Sequence, residues 1–149
     1  VQQALEGLDH APEVVLVSFH GIPQKYADKG DPYPQQCERT TELLRAALGM
    51  DAQQLELVYQ SRFGPAAWLQ PYADKRVQRL AESGIKRIAV VTPGFSVDCL
   101  ETIDEIGVEL RETFEEAGGE QFTFIPCLNE SPAAIELIET LVRDQLTGS

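Results

Sequence analysis

The sequence predicts an α/β domain built on a four-stranded parallel sheet flanked by helices. Two observations carry that prediction. Short apolar runs rich in β-branched residues recur four times, at 13–19 (EVVLVSF), 54–60, 85–92 (IKRIAVVT) and 121–126 (QFTFIP). Each is followed by a segment whose apolar residues recur at helical spacing. Strands alternating with helices call for a parallel sheet with right-handed crossovers and both faces covered.

Taken in order, the first strand is stopped at once by His20-Gly21-Ile22-Pro23, which sets His20 at the strand's C-terminal end. A polar loop over 24–34 turns at Gly30-Asp31-Pro32. A helix over 38–48 follows, with Leu43, Leu44, Ala47 and Leu48 as its apolar residues and Gly49 as its stop. The second strand alternates Leu55, Leu57 and Tyr59 and meets SRFGP. A helix over 66–84 carries Val77, Leu80 and Ala81. The third strand breaks at Pro93-Gly94, and a helix over 96–117 is expected with Ser96 as N-cap and Ile103, Ile106, Leu110 and Phe114 as its apolar stripe. After the fourth strand, Ser131-Pro132 opens a last helix whose core face is Ile135, Ile138, Leu141 and Leu146. The first dozen residues and the last three read as loose. All 149 residues are expected to form a single α/β domain.

Charge and composition narrow the function. Twelve Lys and Arg face 24 Asp and Glu, a net charge of -12. Such a balance argues against nucleic acid and against a basic membrane-surface patch, and is compatible with a cation or a cationic partner. No apolar run reaches the ~20 residues that span a bilayer, and the first residues lack the pattern of a signal peptide. The start at Val1 points to a piece of a longer chain. Cys37, Cys99 and Cys127 make no CxxC pair, which argues against a zinc ribbon and for reduced thiols in the cytoplasm. Cys99 is expected to point away from its acidic neighbours as a small buried side chain.

Those neighbours are Asp98, Glu101 and Glu105, at i, i+3 and i+7 on one helical face, with Glu109, Glu112 and Glu116 continuing the stripe. Like charges at i, i+4 destabilise a helix by a few tenths of a kcal/mol. Removing the charge of Glu105 is therefore expected to leave the fold intact or to stabilise it slightly. In a parallel α/β fold, ligands bind beyond the C-terminal strand ends, the edge that also holds His20 and Ser61. An imidazole with carboxylates can ligate a divalent first-row metal or act as an acid–base pair. Crowded carboxylates are expected to raise one another's pKa. Trp68, in GPAAWLQPY, can pack a core or stack on a flat ligand. Phosphate-cradling GxGxxG and GxxxxGK[ST] motifs and a serine nucleophile elbow are missing.

SFHGIP at 18–23, GDPYPQQC at 30–37, YQSRFGPAAWLQPY at 59–72, PGFSVDCLETIDEI at 93–106 and LNESP at 128–132 together resemble the ferrochelatase family. The resemblance implies a chelatase-like, flavodoxin-like doubly wound fold. It also implies that the chain is the C-terminal lobe of a two-lobed bacterial-type enzyme whose N-terminal lobe is not among these residues. The implied activity is insertion of ferrous iron into protoporphyrin IX to make protoheme, with iron as substrate. His20 and Glu101 match the family's metal-binding and catalytic positions, and Asp98 and Glu105 match outer carboxylates. Trp68 and Ser61 match positions near the porphyrin pocket. Some members hold an iron–sulfur cluster on four cysteines, which this chain does not support. The implied partners are protoporphyrin IX, iron and the other lobe. Peripheral membrane contact and self-association of the isolated lobe stay open, and the isolated lobe is expected to be inactive. Two other readings remain at this stage: a non-catalytic metal- or tetrapyrrole-binding module, and a related cobalt or sirohydrochlorin chelatase.

Overall fold

Strands β1 (Val14–His20), β2 (Leu55–Gln60), β3 (Arg87–Val91) and β4 (Gln121–Ile125) lie side by side in the order β2-β1-β3-β4, every neighbouring pair parallel. The structure, a computed structural model, describes residues 1–148. Its helices are α1 (Gln2–Glu6), α2 (Gln24–Ala27), α3 (Tyr33–Leu48), α4 (Ala73–Glu82), a π-helix (Glu101–Leu110), α5 (Arg111–Glu116) and α6 (Pro132–Thr147). The chain runs from β1 outward to β2, then doubles back past β1 to β3. That reversal opens a crevice beyond the C-terminal ends of β1 and β3.

The two-residue period of the strands sorts their side chains onto two faces. Val14, Leu16, Val58, Ile88 and Val90 pack on Val77, Leu80 and Ala81 of α4 and on Ile106, Leu110 and Phe114. Val15, Val17, Phe19, Leu55, Ala89, Val91 and Ile125 face the other way, onto Cys37 of α3, the half-buried Leu44 and Leu48, and Ala4 and Leu5 of α1. Each fully buried aliphatic side chain stabilises by about 1.5–3 kcal/mol before entropy is counted. The four strands and the doubly wound arrangement are as the sequence predicts.

Several helices differ from expectation. Helix α3 begins at Tyr33, whose N–H is held by the Asp31 carboxylate at 2.9 Å. Its inward stripe is Cys37, Thr41, Leu44 and Leu48, while Leu43 and Ala47 face out. The segment 24–34 contains the single turn of α2. Helix α4 starts only at Ala73, because Gly64-Pro65 and Pro71 keep the preceding residues irregular. Residues 2–6 are helical, and Ala4 and Leu5 pack on the core.

The largest differences lie in the last two helices. The expected α-helix over 96–117 is a π-helix followed by a short α-helix, and Ser96 does not cap it; the residue before the π-helix, Leu100, makes no side-chain cap. The wider i→i+5 turn makes the buried positions Thr102, Ile106 and Leu110, with Phe114 next, and leaves Ile103 56% exposed. Helix α6 does not reach the core. Ile135, Ile138, Leu141 and Leu146 are 57%, 55%, 57% and 82% exposed, and only Ala134 is buried. The sheet face such a helix would cover is already closed by α3 and α1. No helix among the described residues is long and apolar enough to cross a membrane.

Candidate active site at the strand ends

His20 is the last residue of β1, half-buried, and paired in register with Gln60 of β2. Its Nδ1 lies 2.7 Å from the Gly21 carbonyl. A carbonyl only accepts, so Nδ1 carries the hydrogen and Nε2 of the neutral ring keeps a free lone pair. The Tyr33 hydroxyl donates to the His20 carbonyl at 2.8 Å and fixes the backbone there. Gly21 follows because there is no room for more: a Cβ would sit 3.0 Å from the Gln60 carbonyl oxygen and 3.3 Å from the Trp68 ring. Trp68 thus lies against the strand end next to His20. Its indole N–H donates to the Phe63 carbonyl at 3.0 Å, and the two rings meet edge-on at 5.9 Å.

The end of β2 is held from the π-helix. Ser61 has φ of +60°, a left-handed conformation that an L-residue other than Gly, Asn or Asp seldom adopts. The Glu105 carboxylate restrains it by accepting from the Ser61 N–H at 2.6 Å and from the Ser61 hydroxyl. Gln60 Nε2 donates to the Glu101 carbonyl at 3.0 Å and reaches Glu105 at 3.5 Å. Glu105 is therefore an acceptor for the β2 loop, which reverses the expectation that its charge is dispensable to the fold.

Asp98 is likewise engaged by protein donors. Its carboxylate accepts from the Cys127 N–H, the Asn129 side-chain amide and the Thr102 hydroxyl, at 3.2, 2.8 and 3.0 Å. Burial pushes the Asp98 carboxyl up, but the bonds from Asn129, Cys127 and Thr102 outweigh it and hold the pKa below its ordinary value. Asp98 ties the start of the π-helix to the loop after β4 and does not line the cleft described next.

A cleft of about 530 Å³ opens between the β2 loop, the start of α4 and the π-helix. Glu101, Asp104, Glu105 and Glu109 line it, with Phe63 and Leu100 as apolar wall. Its single cation among the described residues is Arg62, clamped by the Asp74 carboxylate through two bonds of 2.7 Å and stacked over Tyr72. The walls are thus net negative and concentrate cations. Steps of four residues along the wide helix bring Glu101, Glu105 and Glu109 into line. Glu109, Asp104, Arg62 and Gln60 were not singled out as site residues from sequence; Glu109 had a signal, the acidic stripe, whereas Gln60 had none beyond its place at a strand end. His20 and Trp68 lie at the same edge but outside the cleft lining.

Glu101 is exposed, and its pKa is lowered. The Cys99 thiol donates to it at 3.1 Å, its own backbone N–H adds to this, and His20 favours the anion electrostatically. Both expectations for this turn are corrected. Cys99 points at a carboxylate and is only half-buried, and Glu101 is a carboxylate of depressed, not raised, pKa because the Cys99 thiol and its own backbone N–H donate to it. No cluster of three or more His, Cys, Asp or Glu side chains is gathered for a metal among the described residues. His20 acts on Glu101 only through its field, and the Asp98 carboxylate is occupied elsewhere.

The parallel α/β fold is shared with a solved protein. The fold matches that of a cobalamin (vitamin B12) biosynthesis CbiX protein from Marinobacter aquaeolei with a TM-score of 0.59 and 16% identity, over 91% of this chain and 96% of that one. The ferrochelatase family profile matches residues 1–146, and the chain belongs to that family. It is 57% identical to a ferrochelatase of Brucella anthropi and 55% to one of Brucella ovis, each over 148 residues. Those alignments cover 99% of this chain but 42% of each relative, so the chain spans about two fifths of the length of the curated relatives it matches.

Proposed function

We propose that this chain is the C-terminal, metal-handling lobe of a two-lobed ferrochelatase, and that the assembled enzyme inserts ferrous iron into protoporphyrin IX. One observation carries the reading. The Nδ1–H of His20 is engaged by a carbonyl, the arrangement that orients a histidine to ligate or take a proton through Nε2, and an ionised Glu101 interacts with it. Metallation releases two pyrrole protons for each iron that enters the ring. A free imidazole nitrogen accepts a proton, and a carboxylate of low pKa stays anionic to hold the cation. A two-residue site suits a metal that is passed on to the four ring nitrogens.

The neighbouring features support the same reading. The acidic cleft gathers cations beside Glu101, while Phe63 and Leu100 offer apolar surface to a flat macrocycle, with the half-buried Trp68 edge-on to Phe63. A porphyrin has to be enclosed to be held for metal entry, and one strand edge supplies one wall. The other wall belongs to the second lobe, and the exposed face of α6 is surface for that lobe to cover. In its absence the same face promotes self-association. The expected site of action is the cytoplasm.

Zinc titration of the chain tests the site. Binding is expected to weaken sharply in His20→Ala and in Glu101→Gln. An unchanged isotherm in both variants overturns the assignment. A metallation assay with a soluble porphyrin, run with sedimentation in parallel, tests the two-lobe reading: turnover by the 149-residue chain equal to that of the full-length enzyme would defeat it.

A further inference from the structure

The side chain of Gln60 joins the two halves of the proposed site. It is 4% exposed, at the end of β2. Its Oε1 accepts from the Ser18 hydroxyl at 2.8 Å, and its Nε2 donates to the carbonyl of Glu101 at 3.0 Å. Ser18 is fully buried in β1, two residues before His20, so both side chains leave the strand on the same side. Glu101 is the first residue of the π-helix. One amide therefore connects the strand that carries His20 to the helix that carries Glu101.

The chemistry of that amide is specific. It needs an acceptor toward Ser18 and donors toward Glu101 and Glu105, and among side chains of this length only glutamine has both. A glutamate here would set its charge against the Glu101 carbonyl and the Glu105 carboxylate. An apolar side chain would take from the buried Ser18 hydroxyl its acceptor and from the Glu101 carbonyl its side-chain donor. The π-helix makes such a brace more important. Its first residue has no side-chain cap, and runs of wide turns are rare on their own. We propose that Gln60 is the positioning residue that fixes the distance between His20 and Glu101. It touches neither metal nor porphyrin and acts by holding the first turn of the π-helix to the β1 strand. The inference rests on the function proposed above for His20 and Glu101.

The test uses the full-length protein carrying Gln60→Met, which keeps length and volume and loses the amide, and Gln60→Met combined with Ser18→Ala, which removes the stranded hydroxyl. Zinc isotherms, thermal melting and metallation kinetics are read for both. The expected result is zinc binding at least tenfold weaker and kcat at least tenfold lower in both, with porphyrin KM within twofold of the unsubstituted protein. The double variant recovers most of the lost Tm without recovering kcat or zinc affinity, which a purely structural role would not produce. Recovery of zinc affinity and kcat together with Tm overturns the proposal, as does a Gln60→Met protein with unchanged zinc affinity. An unsubstituted protein that binds zinc but never metallates a porphyrin defeats the proposed reaction instead, and the isotherms of the variants still decide whether Gln60 positions the pair.

Discussion

Two sets of carboxylates sit within twelve residues of one another and have opposite fates. Asp98 and Glu105 are met by donors from distant segments, the Cys127 N–H and Asn129 amide of the loop after β4 for one and the Ser61 N–H and hydroxyl at the end of β2 for the other. Glu101, Asp104 and Glu109 face the cleft, and no backbone N–H from another segment reaches their carboxylates among the described residues. The first set holds the π-helix in place. Under the proposed function the second is left for a ligand. A carboxylate's use is thus decided by which donors the fold brings to it.

The comparison is broken most easily at Glu101. If it belongs to the open set, Glu101→Gln should cut metallation by the full-length protein about 10²–10⁴-fold, the range for a group that handles charge or protons directly. Its Tm should stay within about 1 °C, because the side chain is exposed and the Cys99 thiol is the one side chain that donates to it among the described residues. A melting shift of many degrees would move Glu101 into the structural set. The next largest effect is expected at Glu105. Glu105→Ala removes the acceptor for two Ser61 donors at a left-handed residue, and should destabilise by about 2–3 kcal/mol in urea melts. Adding Ser61→Gly should return part of that loss, since glycine adopts the conformation without strain. A neutral Glu105→Ala would show that the Ser61 bonds contribute nothing.

What the sequence could and could not show follows from the same division. Strand identity was legible because the four β-branched runs are long and apolar. The strand-end placement of His20 was legible from the Gly and Pro behind it. Helix faces were legible where an α-helical period held, as in α4 with Val77, Leu80 and Ala81. They were not where the turn widened: a period of 3.6 predicts Ile103 inward, and the π-helix buries Thr102 in its place. Nor could spacing distinguish Asp98 from Glu101, because Asn129 and the Cys127 N–H, which occupy Asp98, come from a loop about thirty residues further along the chain. Helix α6 shows the converse. Its apolar stripe was read as a core face, and the structure leaves Ile135, Ile138, Leu141 and Leu146 exposed.

Asp98 sharpens the comparison through pH. Its pKa is lower in the folded chain than in the unfolded one, so its bonds stabilise the fold above the ordinary aspartate pKa of about 3.9. That stabilisation is lost as pH falls through the folded-state value. Asp98→Asn presents an amide to the Cys127 N–H and the Thr102 hydroxyl and should cost about 1–2 kcal/mol at pH 7, a figure already reduced for partial exposure. The gap to the unsubstituted chain should narrow at pH 3. Parallel urea melts at the two pH values check this, and an equal gap at both would mean that packing, not charge, makes the difference.

The smallest effect is expected at Glu109, which shares the cleft with Glu101 but lies two steps further along the π-helix. Its carboxylate accepts no hydrogen bond among the described residues and sits four residues from Glu105, a like charge. Glu109→Gln should therefore leave stability within ~0.5 kcal/mol, with a gain of a few tenths from the relieved repulsion. Its role in the proposed enzyme is to raise the local concentration of cations, and such an effect works through solvent and is screened by salt. Zinc association measured by stopped flow should slow by less than about threefold at low ionic strength, and the difference should vanish near ~1 M salt, where the Debye length is about 3 Å. A salt-independent loss as large as that of Glu101→Gln would make Glu109 a direct ligand and move the proposed metal site deeper into the cleft.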